Sequence, residues 1–350
     1  MSATATPQRV PVPGHPEGCE TPLTAQVGWQ TPPGAFYTRS HFLPTPVLAA
    51  QGWQLSVEGA VERPLALTLD ELRALPSHTV IATLECAGNN RSVLDPPADG
   101  IQFGCGAVRT AEWRGVSLAT VLHEAGLRSD AQEVLGEGTD RGHEKSLGKE
   151  IPFERSLPLA KALDPDTLLA YEMNGQPLPD EHGFPARLIV PGWYGMASVK
   201  WLAKLQVLDR PYAGFFQKTK YIYEVPGEAS TPVRAMRVKA TFAQPADGDT
   251  VTAGAPVTVR GYAWSGEGAV SRVAVSTDGG ARWQDAELTA APGQWAWCEW
   301  SLEWTPGAAG AATLLVRATD AAGNLQPLDV PWNRLGYGNN GVQQITVNAR

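Results

Sequence analysis

Between Val199 and Val207 every second residue is apolar: Val199, Trp201, Ala203, Leu205 and Val207. This alternation predicts a strand with one buried face and puts Lys200 on the face opposite Val199 and Trp201. The short apolar runs Thr79–Leu84, Leu168–Met173 and Arg187–Val190 read as buried strands, and Asn174-Gly175 as a tight turn. Two stretches carry helical punctuation. Thr68 and Glu71 form a capping box ahead of Leu69–Leu75, which Pro76 stops. Ser117 is placed to cap a helix ending at Ala125, with Gly126 just beyond. Strands mixed with short helices make this region α+β. Around Pro226–Pro232 the composition changes. Short alternating runs follow at Val257–Tyr262, Arg272–Ser276, Gln294–Trp300 and Ala312–Ala318, separated by Asp278-Gly279-Gly280 and Ala322-Gly323-Asn324. That spacing predicts an antiparallel β-sandwich, with Trp295, Trp297 and Trp300 at strand spacing. Residues 1–35 show no period and read as an extended arm.

Composition supports two domains, since 350 residues exceed one ordinary core of roughly 150. With 43% hydrophobic and 18% charged residues the chain is globular, and no apolar run approaches the roughly 18 residues of a membrane span. The 36 glycines and 29 prolines call for many loops, and seven of the twelve tryptophans follow residue 260. A net charge of −8 excludes nucleic acid as a general partner and requires any anionic ligand to find a local basic pocket. Four cysteines are too few for a disulfide framework, and none are spaced C-x-x-C. The first sixteen residues carry no export signal, so the expectation is cytoplasmic, or periplasmic if a leader has been removed.

Cys86 stands on a Gly-Asn turn after a buried strand, in Glu85-Cys86-Ala87-Gly88-Asn89-Asn90-Arg91. The turn aims its sulfur outward, and Arg91 favours the thiolate, the form that ligates metal or attacks. A basic group is spread over Tyr37-Thr38-Arg39-Ser40-His41, His182, Arg187 and Ser198-Val199-Lys200. Together these suit a phosphate, to which arginine offers a fork and lysine a point charge. Asp140 is read as lying in a loop, and Tyr221, among Lys218 and Lys220, as a phenol whose pKa neighbouring cations lower. The sequence contains no glycine-rich phosphate loop, H-E-x-x-H pair or G-x-S-x-G elbow.

In this order, FYTRSH (36–41), LECAGNNRS (84–92), GEGTD (136–140), LAYEMNGQPLPDEHGFPARLIVPG (169–192), SVKWL (198–202), GYAWSG (261–266) and VSTDGGARWQ (275–284) resemble the sulfite oxidase family of molybdenum enzymes. The resemblance implies a molybdopterin-binding catalytic domain over residues 36–228 and an immunoglobulin-like dimerisation domain over 229–350. It implies Cys86 as the protein's molybdenum ligand, beside two sulfurs of the pterin. It places pterin-phosphate contacts at Tyr37, Thr38, Arg39, Ser40, His41, Asp140, His182, Arg187, Ser198, Val199 and Lys200. Arg39, Arg91 and Tyr221 are implied around the substrate. The implied reaction is oxygen-atom transfer to sulfite in a homodimer without a haem domain, electrons leaving to a cytochrome or another external acceptor.

Several positions depart from the animal pattern. Asn90-Arg91 replaces two adjacent arginines, Phe103 a tryptophan, and Ala197 a residue that is often arginine. In Trp332-Asn333-Arg334-Leu335 the pocket arginine is displaced by one position. The rival readings are a molybdoenzyme acting on nitrate or an oxidised sulfur compound, and a non-catalytic binding module.

Overall fold

The computed structural model describes residues 8–350; residues 1–7 of the expected arm lie outside the described residues. Two five-stranded sheets build the first half. In one, Gln176–Pro177, Leu168–Met173, Val108–Ser117 and Ser77–Glu85 are neighbours in that order, and Arg187–Ile189 joins Leu168–Met173. In the other the order is Leu65–Thr68, Gln54–Gly59, Leu202–Leu208, Glu133–Glu144 and Lys149–Pro158. Only Gln54–Gly59 and Leu202–Leu208 run parallel there, which a long connection allows. The helix Leu69–Ala74 carries the full capping box, with Thr68 Oγ1 accepting from Glu71 N and the Glu71 carboxylate accepting from Thr68 N. Helix Leu118–Ala125 ends at Gly126, but Ser117 caps it by position alone, its hydroxyl finding no partner.

The second half is a sandwich of two sheets. One holds Lys239–Gln244, Val257–Trp264, Cys298–Trp304 and Glu287–Leu288; the other holds Thr250–Val251, Gln343–Ala349, Gly310–Asp320, Val270–Ser276 and Gln284–Asp285. Val259, Val273, Val275, Trp300, Leu314, Val316 and Ile345 fill the space between them, as alternation across facing sheets requires.

Three expectations are corrected or sharpened. The strand predicted over Val199–Val207 begins only at Leu202, because Trp201 adopts a left-handed backbone (φ 49°) and breaks the extended run. Lys200 therefore sits on an irregular turn. Of the core and interface places open to the tryptophans, Trp295 and Trp297 take the interface: they precede the strand that starts at Cys298. The carbonyl of Trp295 accepts from Thr83 N at 2.9 Å, Trp297 N donates to Thr83 Oγ1 at 2.8 Å, and the Trp297 ring stacks on Tyr262 at 4.4 Å. These tryptophans join the two halves. Finally, the arm is docked: Cys19 and Thr38 exchange backbone hydrogen bonds, the Glu20 carboxylate accepts from Gly104 N and Gly106 N, and buried Arg109 donates to Thr21 O.

Candidate functional site

The strand Ser77–Glu85 delivers the chain into the turn that carries Cys86. Cys86 N donates to Ala107 O and Asn89 N donates to Cys86 O, both at 2.9 Å. A side chain at Gly88 would come within 2.6 Å of the Arg91 guanidinium, and Asn90 takes a left-handed φ of 62°. The small and left-handed-tolerant residues of this turn are thus sterically required.

The Cys86 side chain opens on a cavity of about 700 Å³ counted with its mouth. Eleven of the expected residues line it: Tyr37, Arg39, Ser40, His41, Cys86, Asp140, His182, Arg187, Ser198, Lys200 and Tyr221. Phe36, Leu84, Ala87, Phe153, Gly195, Met196 and Trp201 complete the wall. Phe36 and Trp201 belong to the quoted motifs, whereas nothing near Phe153 or Met196 marks them. Three expected residues do not line the cavity. Thr38 turns its hydroxyl to Glu17 O at 2.7 Å. Val199 is buried, and its carbonyl accepts from Leu188 N. Arg91 donates to Leu335 O at 3.0 Å and Ile101 O at 2.6 Å and lies over the Tyr337 ring. Asp140 belongs to the strand Glu133–Glu144, at an irregularity in its pairing, and not to a loop. Cys105 does not line the cavity, and all four cysteines are free.

The cations of the wall differ in what they have left to give. Arg187 donates to His182 O and Ser198 O, and Lys200 Nζ to Ser40 Oγ and Glu181 O. Arg39 has one polar partner among the described residues, His15 Nε2 at 3.1 Å. His15, from the arm, also places that nitrogen 2.8 Å from Ser40 O; no motif or spacing marks it. Arg39 therefore holds most of its five donors in reserve. Two acceptor or donor atoms on the wall are buried and unpaired, His41 Nδ1 and Asp140 Oδ1. Close packing explains the glycine at 138, where a Cβ would lie 2.5 Å from Asp140 Oδ1 and 2.8 Å from Lys200 O.

Burial dominates the electrostatics. It pushes the Cys86 thiol above its ordinary value, against the opposing pull of Arg39, the Gly88 amide and Arg91. The expected thiolate is thus not favoured by the protein alone. Burial likewise raises Tyr221, outweighing Arg39, so that phenol holds its proton more tightly than the sequence suggested. Desolvation pulls Lys200 down and pushes Asp140 up, and the two charges partly offset these costs for each other. His41 is lowered to about 3, first by burial and then by Arg39 and Lys220.

That last shift sets a pH dependence. Below about 6.5 the unfolded chain protonates His41 while the folded chain does not, so stability falls as pH drops from about 6.5 toward about 3. The buried His182, also lowered, adds the same sign. We expect His41→Gln to flatten the decline by up to about 1 kcal/mol per pH unit. Urea midpoints of cofactor-free protein at pH 7.5, 6 and 5 check this, and parallel wild-type and variant curves would contradict it.

Two family descriptions match the chain in tandem: "Oxidoreductase molybdopterin binding domain" over residues 42–216 and "Mo-co oxidoreductase dimerisation domain" over 230–350. Fold and cavity thus define a molybdopterin-binding oxidoreductase. Mitochondrial sulfite oxidase of Rattus norvegicus is 38% identical, covering 91% of this chain and 61% of its own length. Sulfite oxidase of Arabidopsis thaliana is 33% identical over 95% of this chain and 92% of its own. The crystal structure of the sulfane dehydrogenase SoxCD of Paracoccus pantotrophus superposes with a TM-score of 0.84 at 30% identity, covering 98% of this chain and 90% of that one. The chain belongs to the sulfite oxidase family, and it spans about three fifths of the length of the rat relative (61%). No helix among the described residues is long and apolar enough to cross a membrane.

The cavity fits the cofactor of this family. Among the described residues no three His, Cys, Asp or Glu side chains converge to hold a metal, and Cys86 is the only cysteine on the wall. The protein can offer one thiolate, so a metal here needs an organic carrier for its other ligands, as a pterin dithiolene provides. The unpaired His41 Nδ1, the desolvated Lys200 and the nearby Arg187 suit the carrier's phosphate.

Proposed function

We propose that this chain oxidises sulfite to sulfate. One oxygen, ultimately from water, is added to sulfur, and two protons and two electrons are released, the electrons to an external acceptor such as a cytochrome. The carrying observation is that Arg39, the wall cation with the most unspent donors among the described residues, shares the cavity with the lone thiol of Cys86. Bound molybdopterin would supply a two-electron redox centre that transfers oxygen, and Cys86 would ligate its metal. Ser40, His41, Asp140, His182, Arg187, Ser198 and Lys200 would hold the pterin, with Tyr37 packing beside them. Arg39 would draw the dianion in and keep its oxygens oriented. Tyr221, fully protonated at neutral pH, would donate a hydrogen bond to a sulfite oxygen. Arg91 would act behind the wall by fixing the Cys86 turn, since its guanidinium is anchored to Leu335 O and Ile101 O and does not line the cavity. Reading residues 36–228 as catalytic domain and 229–350 as the homodimer-forming domain is supported by the two matched ranges on either side of that boundary.

A second reading, oxidation of sulfane sulfur, draws support from a less cationic pocket. Arg334 pairs with Glu224 at 2.7 Å and with Asp99 at the surface, and Leu335 is buried in the core. The structural neighbour SoxCD is named for that substrate class. Steady-state assays of the molybdenum-loaded protein separate the readings: sulfite and a sulfane compound, each with ferricyanide, against nitrate with a reduced dye. Negligible sulfite turnover would overturn the leading proposal. Arg39→Gln is expected to raise KM for sulfite at least about tenfold, the loss of roughly one charge-assisted hydrogen bond, with kcat changed less. An unchanged KM would move the anion site elsewhere.

A further inference from the structure

Behind the cavity wall, the second half of the molecule packs against the Cys86 turn with the segment Asn333–Asn340. Its backbone is pinned to the Cys86 turn. Gly338 N donates to Ala87 O at 2.8 Å, the Asn339 amide donates to Asn90 O at 2.8 Å, and Arg91 Nε donates to Leu335 O at 3.0 Å. Within the segment, Asn333 brackets Tyr337, its Oδ1 accepting from Tyr337 N at 3.1 Å and its Nδ2 donating to Tyr337 O at 3.0 Å. Tyr337 is therefore held rigidly at a fixed place, and it is buried (7% exposed).

Its ring lies on the cavity tyrosine. Tyr221 and Tyr337 stack with centroids 5.2 Å apart and planes at 27°, and the Arg91 guanidinium covers the Tyr337 ring at 4.9 Å. Phe153 and Phe216 touch Tyr221 edge-on or tilted, at 6.2 Å each. Of its aromatic neighbours, Tyr337 alone presents a parallel face and so restricts the swing of the Tyr221 ring about its own axis. Among the described residues the Tyr221 hydroxyl makes no hydrogen bond that would set its direction, so packing must do so.

We propose that Tyr337 is a positioning residue for Tyr221, contributed by the C-terminal domain. It aims the Tyr221 phenol into the cavity, and Arg91 locks the stack from behind. This rests on the role proposed above for Tyr221. The stacked face, not the Tyr337 hydroxyl, carries the effect.

The test is a double-mutant cycle on the molybdenum-loaded full-length protein, with molybdenum content measured for every variant. Tyr337→Leu should lower kcat roughly fivefold, about 1 kcal/mol at 1.36 kcal/mol per decade, with KM for sulfite and metal content near wild type. Tyr337→Phe should restore wild-type kcat. In the Tyr221→Phe background, Tyr337→Leu should cost nothing further. If the leucine variant does not fold, Tyr337→Met, flexible and similar in volume, replaces it. Additive losses, unchanged kcat in Tyr337→Leu, or a phenylalanine variant as impaired as the leucine one would overturn the inference. A Tyr221→Phe enzyme with wild-type kcat would instead overturn the proposed role of Tyr221, and with it the route through which Tyr337 acts.

Discussion

Replacing Cys86 by serine is expected to lower kcat for sulfite at least about a thousandfold, equivalent to about 4 kcal/mol of transition-state stabilisation, while the protein still folds and still retains pterin. The argument is chemical. Serine keeps the size of the side chain, and the turn is held by backbone bonds from Cys86 N to Ala107 O and from Asn89 N to Cys86 O, which the substitution does not touch. What disappears is the only thiol on the cavity wall. A hydroxyl is a hard donor that stays protonated at neutral pH, whereas a thiol can be deprotonated by the metal it binds, even from the raised pKa that burial gives Cys86. The pterin should remain because its proposed contacts lie on Ser40, His182, Arg187 and Lys200. Kinetics at saturating sulfite, with molybdenum and pterin measured per chain, check the expectation. A fully loaded Cys86→Ser enzyme within tenfold of wild-type kcat would remove Cys86 as ligand.

The legible parts of this molecule are those where one residue's chemistry acts locally. Thr68 and Glu71 close their capping box without help from the rest of the fold. The glycine of the Cys86 turn is dictated by a side chain three residues away. Alternating runs mark the sandwich strands because each needs only one buried face. The illegible parts depend on distant segments. Alternation puts Lys200 on a strand face, yet Trp201 turns left-handed and its indole donates to Asp180 O, a tertiary bond that overrides the local pattern. The cations near Cys86 and Tyr221 pointed to depressed pKa values, yet burial raises both, and depth is invisible to spacing. The family resemblance implies Arg91 beside the substrate, yet it does not line the cavity. Its guanidinium is claimed by Leu335 O, a carbonyl 244 residues further along. His15 reaches Arg39 from an arm with no period at all.

The same dependence on distant segments makes the junction between the halves sensitive to a single substitution. Lys239 and Glu85 form a buried ion pair at 3.1 Å, their side chains 1% and 2% exposed, one from each half of the molecule. Glu85 immediately precedes Cys86, and its carboxylate also accepts from Asn89 Nδ2 at 3.0 Å and from Trp264 Nε1 at 2.9 Å. Lys239 additionally donates to Asn339 O at 2.9 Å. Lys239→Met keeps the length of the aliphatic chain but strands a carboxylate in a dry interior with two neutral donors. Removing one partner of such a pair costs about 3–5 kcal/mol, a fall in Tm of roughly 6–15 °C for a domain of this size. Replacing both, in Glu85→Gln with Lys239→Met, removes the uncompensated charge and should recover most of that loss. Calorimetry of the single and double variants decides it. Because the pair links the two halves, the single variant should also melt in two resolved transitions. A Lys239→Met protein within about 1 kcal/mol of wild type would mean that water reaches Glu85 and that the junction is held by Trp264, Trp295 and Trp297 instead.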